Sequence, residues 1–147
     1  PDRYAESFIS AGADHITIHM ELDIDIHNCL AQIHELGASA GLCIKPDTNP
    51  KVLNPYLDEI DVILVMTVEP GFSGQSFLPD AATKISTIKE MIGSRNIHIQ
   101  VDGGISVDTV RACTQHGANI CVAASSIFKN PMGTNASIKA LRVAAEK

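Results

Sequence analysis

The sequence contains no tryptophan, and only 4% of its 147 residues are aromatic. Proteins that stack nucleic-acid bases need such rings, and proteins that hold a phosphate backbone need an excess of basic charge. Here 17 acidic residues outnumber 11 basic ones, which gives a formal net charge of -6. The composition therefore argues against a nucleic-acid partner.

Long hydrophobic runs and paired cysteines are also missing. The longest apolar stretch is Val62 to Met66 with its near neighbours, well short of the roughly 18 residues that a membrane-spanning helix needs. No apolar leader pattern opens the sequence, so we expect a cytoplasmic protein with no membrane partner. Cys29, Cys43, Cys113 and Cys121 form no C-x-x-C pair and lie in apolar patterns, which favours reduced core thiols over disulfides.

What the sequence does contain is a regular alternation of two hydrophobic periods. Apolar residues make up 45% of the chain, enough for one buried core, and we expect a single domain over residues 1–147. Helix-spaced segments separate short β-branched runs, which predict strands. The predicted strands are His15–His19, Ala40–Ile44, Asp61–Met66, Ile97–Asp102 and Asn119–Ala123. This order, one helix followed by five strand-helix units, predicts an α/β fold with a parallel sheet.

Three of the predicted strands end in turns of small residues. These turns are Pro70-Gly71-Phe72-Ser73-Gly74-Gln75, Asp102-Gly103-Gly104 and Ala123-Ala124-Ser125-Ser126. Small residues let backbone N–H groups approach an anion closely, and the ends of parallel strands meet at one edge of the sheet. A single turn of this kind is typical of simple chain reversal. Three at successive strand ends favour a phosphate cup that needs no Arg or Lys.

Asp102 is the sharpest single candidate for chemistry. Its strand places Ile97, Ile99 and Val101 on one face and Asp102 on the other, together with Gln100. A carboxylate that ends a buried strand is costly unless it is paired, bound to metal or used as an acid or base. Capping of the next helix is the structural alternative, and the residues alone leave both open.

Other polar residues at the strands have weaker signals. His15 and His19 share a face of the first strand, where a metal pair is conceivable, but without a third ligand nearby a structural role is favoured. Lys45 and Glu69 both follow strand ends, and we expect them to form an ion pair at the mouth of the site. Met66 is either core filler or a polarizable wall of that site.

At these residues the chain resembles the ribulose-phosphate 3-epimerases. The resemblance is carried by the runs Val65–Phe77, Val101–Ile105, Ile44–Thr48 and Val122–Ile127. It extends through essentially the whole chain and is closest to the eukaryotic branch. It implies a (β/α)₈ TIM barrel, of which this chain would hold the five C-terminal strand-helix units.

The resemblance also implies an activity: interconversion of D-ribulose 5-phosphate and D-xylulose 5-phosphate in the pentose phosphate pathway. Asp102 matches an acid–base residue that also ligates a divalent metal ion, Zn²⁺, Fe²⁺, Mn²⁺ or Co²⁺. The residues that match contacts to the sugar phosphate are Gly71, Phe72, Ser73, Gly74, Gly103, Gly104, Ala124, Ser125 and Met66. A homo-oligomer, in particular a dimer, is implied as well.

The chain departs from the family pattern in three residues and in length. Ser73 and Ala124 replace glycines, and Gln100 stands where Glu is usual. The segment at Pro1 resembles a third helix, which leaves out about 75 residues of a barrel, with the second acid and the remaining metal ligands. We therefore expect the chain alone to be inactive. The alternatives are a 3-epimerase of a six-carbon ketose phosphate such as allulose 6-phosphate, and a non-catalytic phosphate-binding module.

Overall fold

The computed structural model describes residue 1, residues 3–71 and residues 75–146. Within them, the strands are β1 (His15–His19), β2 (Ser39–Ile44), β3 (Val62–Met66), β4 (His98–Asp102) and β5 (Ile120–Val122). The α-helices are α1 (Ala5–Ser10), α2 (Ile26–Glu35), α3 (Pro79–Ile92), α4 (Val110–Thr114), α5 (Ser125–Phe128) and α6 (Thr134–Glu146). A 3₁₀ helix spans Pro50–Tyr56. The five predicted strands are confirmed, with bounds that differ by at most one residue at either end.

The strands form one parallel sheet in the order β1-β2-β3-β4-β5. Met66 at the end of β3 pairs with Asp102 at the end of β4, and Asp102 pairs with Val122 at the end of β5. Because the strands are parallel and in this register, the turns that follow β3, β4 and β5 emerge at the same edge of the sheet. The predicted gathering of these three turns is confirmed.

The core lies between the sheet and the helices that cover one of its faces. Side chains from alternate strand positions are buried there, among them Leu42, Ile44, Ile63, Val65, Ile99 and Val101. They join one hydrophobic cluster with Leu30 and Ile33 of α2 and with Ile85, Ile88 and Ile92 of α3. On β4 the predicted alternation is confirmed, since Ile99 and Val101 are buried while Gln100 and Asp102 are half-buried on the opposite face.

Helix boundaries follow the residues that the sequence places there. The Asp25 side chain accepts a hydrogen bond of 3.0 Å from the Asn28 amide at the start of α2. Pro79 begins α3, and Gly93 ends it with a φ of 57° that few other residues tolerate. None of the helices in the described ranges is long and apolar enough to cross a membrane.

The connection between β2 and β3 differs from the predicted strand-helix unit. It is a 3₁₀ helix over Pro50–Tyr56 and not an α-helix. Pro55 inside it has no N–H to donate, and its ring would clash with the carbonyl four residues earlier in an α-helix. Two prolines in seven residues therefore select the tighter, shorter helix type.

Candidate functional site

A cleft of about 400 Å³ opens at the carboxyl edge of the sheet, between the turns that follow β3, β4 and β5. Seven of the residues predicted from the sequence line it: Met66, Gly71, Asp102, Gly103, Gly104, Ala124 and Ser125. Phe72, Ser73 and Gly74, also predicted, lie outside the described residues. The cleft thus brings together every predicted site residue that the structure describes.

Asp102 is the carboxylate of this cleft. Its side chain is half-buried at the end of β4, and loss of solvation raises its pKa above the ordinary value for aspartate. A hydrogen bond from the Gly103 amide acts in the opposite direction but only in part. A carboxyl with a raised pKa accepts and returns protons more readily near neutral pH, as acid–base catalysis requires.

The turn after Asp102 is built from glycines because nothing larger fits. Gly103 has a φ of 124°, and a Cβ placed on it would lie 2.6 Å from Cγ2 of Val68. Gly104 has a φ of 64°, and its Cβ would lie 2.8 Å from the amide nitrogen of Phe77. The turns after β3 and β4 therefore approach each other backbone to backbone, which side chains at positions 103 and 104 would prevent.

The turn after β5 closes the other side of the cleft. Ala124 stands where a glycine was expected, but its φ of -118° is one that any L-residue adopts. The Ser126 hydroxyl donates to the carbonyl of Ile105 at 2.6 Å, so this turn is tied to the one after β4. Gln100 faces the same side as Asp102, one layer deeper, and pairs with Leu64 and Ile120.

Glu21 connects two loops outside the lining of the cleft. Its carboxylate accepts hydrogen bonds from the Lys45 amide at 2.8 Å and from the Thr48 hydroxyl at 2.5 Å, and it contacts His19 at 3.1 Å. Desolvation alone would raise the pKa of Glu21, but these hydrogen bonds together lower it below its usual value. Glu21 therefore joins the loops after β1 and β2 as a carboxylate.

The predicted ion pair between Lys45 and Glu69 is wrong, since no salt bridge joins them in the described part of the chain. The charge of Glu69 acts instead on the ammonium of Lys84 in α3, together with the charges of Asp47 and Glu21. Lys84 donates hydrogen bonds to the carbonyl of Pro46 and, at 2.7 Å, to that of Thr48. Burial lowers the pKa of Lys84, although nearby carboxylates such as Glu69 oppose this shift.

The two histidines of β1 have polar partners in the structure. His15 contacts the Ser39 hydroxyl through Nδ1 at 2.7 Å and the Thr17 hydroxyl through Nε2 at 2.8 Å. Desolvation lowers the pKa of His15, and His19 contacts Glu21 through Nδ1. Both nitrogens of His15 are therefore engaged within the sheet, in line with the structural role favoured from the sequence.

Thr67 is a cleft-supporting residue that sequence reasoning missed. It follows Met66 directly and is fully buried, and its hydroxyl donates to the carbonyl of Gly103 at 2.6 Å. The signal that would have found it is its place as the single polar residue in the run from Val62 to Val68. A polar side chain inside such a run requires a buried partner.

A parallel sheet with helices on one face and a cleft at the carboxyl ends of its strands is the arrangement of α/β barrels. The fold agrees: 3-keto-L-gulonate-6-phosphate decarboxylase from Vibrio cholerae O1 biovar El Tor superposes with a TM-score of 0.74 at 16% identity, covering 98% of this chain and 66% of that one. The described strands and helices form part of such a barrel. The model of the Ribulose-phosphate 3 epimerase family matches residues 1–128 of the chain. The chain therefore belongs to this family.

Curated relatives support the same family. The chain is 39% identical over 133 residues to ribulose-phosphate 3-epimerase from Chlamydia muridarum, a match covering 88% of this chain and 58% of the relative. It is 40% identical over 135 residues to the enzyme of that name from Synechocystis, covering 89% and 59%. The chain thus spans about three fifths of the length of these relatives. Its place in the eukaryotic branch stays a prediction.

Proposed function

We propose that this chain supplies the phosphate cup and one of the two acid–base groups of a ribulose-phosphate 3-epimerase. The reaction is the interconversion of D-ribulose 5-phosphate and D-xylulose 5-phosphate. The observation that carries the proposal is the half-buried Asp102 with its raised pKa, at the edge of a cleft formed by three small-residue turns. Family membership supports the choice of reaction.

Asp102 is proposed to move the proton at the carbon next to the ketone. Its carboxylate takes that proton while the electron pair of the C–H bond passes toward the ketone oxygen, which gives an enediolate. Return of a proton to the opposite face inverts the carbon, and this requires a second acid.

Backbone amides are proposed to hold the phosphate of the sugar. Gly104 and Ala124 line the cleft, and within the described ranges no acceptor takes a hydrogen bond from either N–H. Ser125 adds a hydroxyl beside them. Amides that converge on one cleft bind an anion without a cationic side chain, which fits a chain with a net charge of -6.

A divalent metal ion, Zn²⁺, Fe²⁺, Mn²⁺ or Co²⁺, is implied by the resemblance, with Asp102 as a ligand. The described residues do not fit such an ion by themselves, because they contain no group of three His, Cys, Asp or Glu side chains that could hold one. Asp102 would supply one oxygen, fewer than these metals require.

The six-carbon alternative is not favoured, since the curated relatives carry the name ribulose-phosphate 3-epimerase.

The non-catalytic alternative differs from the proposal in one measurable respect. A binding module would leave the carbon-bound proton of ribulose 5-phosphate in place, whereas an epimerase exchanges it with solvent. Deuterium uptake from D₂O into the sugar therefore distinguishes them.

The test is Asp102→Asn in a complete barrel that carries this sequence. We expect xylulose 5-phosphate formation and deuterium uptake to fall at least about a hundredfold, since general acid–base groups contribute on that scale. Affinity for ribulose 5-phosphate should stay within about threefold, because the cup belongs to other turns. Asp108→Asn, in an exposed part of the next loop, is the matched control and should change neither.

A variant that keeps more than about a tenth of the wild-type rate would show that Asp102 is not the acid–base group. For the 147-residue chain alone we expect no turnover, and full turnover would show that no further acid is needed.

A homodimer and a cytoplasmic location are also proposed for the whole protein, on the basis of the family resemblance. Light scattering of the purified protein tests the first.

A further inference from the structure

The end of β3 contains a fully buried polar residue, Thr67. Its amide donates to the carbonyl of Asp102 at 2.8 Å, and its carbonyl accepts from the amide of Leu78, also at 2.8 Å. Thr67 therefore joins the N-cap of α3 to the end of β4. Its backbone alone already fixes the separation of these two elements.

The hydroxyl of Thr67 adds a contact that the backbone does not make. It lies 2.6 Å from the carbonyl oxygen of Gly103 and 3.1 Å from that of Asp102. One O–H donates one strong hydrogen bond, and the shorter distance assigns it to Gly103. The side chain thus holds the peptide between Gly103 and Gly104, which no backbone group of Thr67 reaches.

This peptide determines where the Gly104 amide points. In a trans peptide the carbonyl of one residue and the N–H of the next point in opposite directions. With the Gly103 carbonyl turned toward the buried Thr67, the Gly104 N–H is turned away from it. Gly104 lines the cleft, and its N–H has no acceptor within the described part of the chain.

We infer that Thr67 is a positioning residue of the site. Its hydroxyl fixes the Gly103–Gly104 peptide so that the Gly104 N–H is presented to the cleft beside Asp102. The close packing of this turn against Val68 and Phe77 leaves little alternative space once the hydroxyl is present. The inference rests on the proposed function only for the identity of the anion that the amide meets.

The test compares three variants of a complete barrel that carries this sequence. Thr67→Val keeps the shape and removes the O–H, Thr67→Ser keeps the O–H, and Thr114→Val is the matched control. Thr114 donates to the carbonyl of Ala145 at 2.8 Å, away from the cleft, so its loss costs stability of the same kind. The readouts are the ¹⁵N–¹H resonance of Gly104 and the dissociation constants for inorganic phosphate and ribulose 5-phosphate.

We expect Thr67→Val to move the Gly104 amide resonance and to weaken both ligands about tenfold, the effect of one lost hydrogen-bond donor. Thr67→Ser should leave the Gly104 amide resonance at its wild-type position and both dissociation constants within about twofold of the wild type. Thr114→Val should lower the melting temperature and leave both unchanged. A folded Thr67→Val chain with wild-type affinity and an unmoved Gly104 resonance would overturn the inference.

Two measurements on the complete barrel without substitutions keep the test decisive if Thr67→Val does not fold. A buried, bonded Thr67 hydroxyl proton exchanges slowly enough to be observed, and inorganic phosphate should shift the Gly104 amide resonance. Absence of both would overturn the inference. If phosphate shifts Gly104 but ribulose 5-phosphate produces no deuterium exchange in a complete barrel, the proposed function fails and the role of Thr67 stands.

Discussion

Asp102 combines two properties that usually exclude each other. It is polar and partly removed from water, and the described residues place no cation close enough to offset the cost of its charge. The hydrogen bond from Gly103 compensates only part of this cost, so the pKa stays raised. A carboxyl group in a cleft whose charged form is disfavoured by burial is typical of a functional site and not of a helix cap.

The first prediction concerns stability and pH at Asp102. Because its folded-state pKa is raised, the stability it contributes is present below the unfolded-state pKa of about 3.9 and is lost as pH rises through the folded-state pKa. We therefore expect Asp102→Asn to gain free energy of unfolding relative to the wild type as pH rises from about 4 to 7. Urea unfolding at several pH values measures this difference.

Asp58→Asn is the control of opposite sign. The hydrogen bond and the charge of Arg95, at 2.6 Å, lower the pKa of Asp58. Its contribution is therefore present above the unfolded-state pKa and is lost as pH falls through the folded-state pKa. Asp58→Asn should match or fall below the wild type at pH 7. A pH dependence for Asp102→Asn that follows this control would contradict the desolvation of Asp102.

The second prediction concerns the glycine turn of the site. Gly104→Ala places a Cβ 2.8 Å from backbone atoms of Phe77 at a positive φ, and we expect it to cost about 2–4 kcal/mol. Gly37→Ala has a similar positive φ but no atom within 4 Å of the new Cβ, and about 1 kcal/mol is expected. Chemical denaturation gives both values. Equal costs would show that the approach of Phe77 is not tight.

At the residue scale, the sequence predicts which face of a strand a side chain occupies, but it does not predict hydrogen bonds between distant segments. Asp102 could be assigned to its face because Ile99 and Val101 mark the other one. The partners of Thr67 and Lys84 lie about 36 residues away, and no periodicity encodes such contacts. The wrong prediction for Lys45 has the same origin, because a cation near a strand end has several carboxylates within reach.

At the scale of elements, one long side chain of α3 reaches a loop at the edge of the sheet. Lys84 extends from the second turn of the helix to the loop after β2 and donates to two of its carbonyls. Its desolvation is a cost, as the lowered pKa shows. This cost is offset because the carbonyls of Pro46 and Thr48 receive a hydrogen-bond donor that the short loop does not itself provide.

The third prediction follows from this contact. Lys84→Met retains the apolar stem and removes the donor, and we expect it to lower the free energy of unfolding by about 1–3 kcal/mol because two carbonyls lose their partner. Lys89→Met, at an exposed position of the same helix, should change it by less than about 0.5 kcal/mol. Urea denaturation compares the two. A smaller effect at position 84 than at position 89 would contradict the assigned contact.

The type of an element was predictable where its hydrophobic period was clear. The prediction failed where prolines in the backbone determined the helix type. The strands and α3 follow the pattern of their apolar residues, and Pro79 and Gly93 mark the ends of the helix. The segment Pro50–Tyr56 has an apolar residue at Leu53 but is 3₁₀, because its prolines outweigh the pattern. The composition of a connection therefore decides its type when it is only one or two turns long.

At the scale of the whole molecule, the sheet formed by the described residues has two edge strands. β1 and β5 each pair with one neighbour, and a hollow of about 410 Å³ beside β1 is lined by Tyr4 and Phe8, both 64% exposed. Exposed apolar surface next to an unpaired edge favours association. The arrangement agrees with a chain that spans about three fifths of its relatives' length.

The fourth prediction is therefore that the 147-residue chain self-associates at micromolar concentrations. Sedimentation velocity over a concentration series should show a rising average mass. Phe8→Ser should reduce this association without lowering the melting temperature, since the side chain is mostly exposed. Glu6→Ser on the same helix is the control. A monomer at all concentrations would contradict the prediction.

The sequential order of the strands has a consequence for synthesis on the ribosome. Each strand is laid beside the one before it, so a nascent chain can pack β1, β2 and α2 while later residues are still being added. The cleft depends on β3, β4 and β5 and is complete only when residue 125 has emerged. The proposed sugar-phosphate site therefore forms late in translation, and the earlier half of the chain must attain its shape before that site exists.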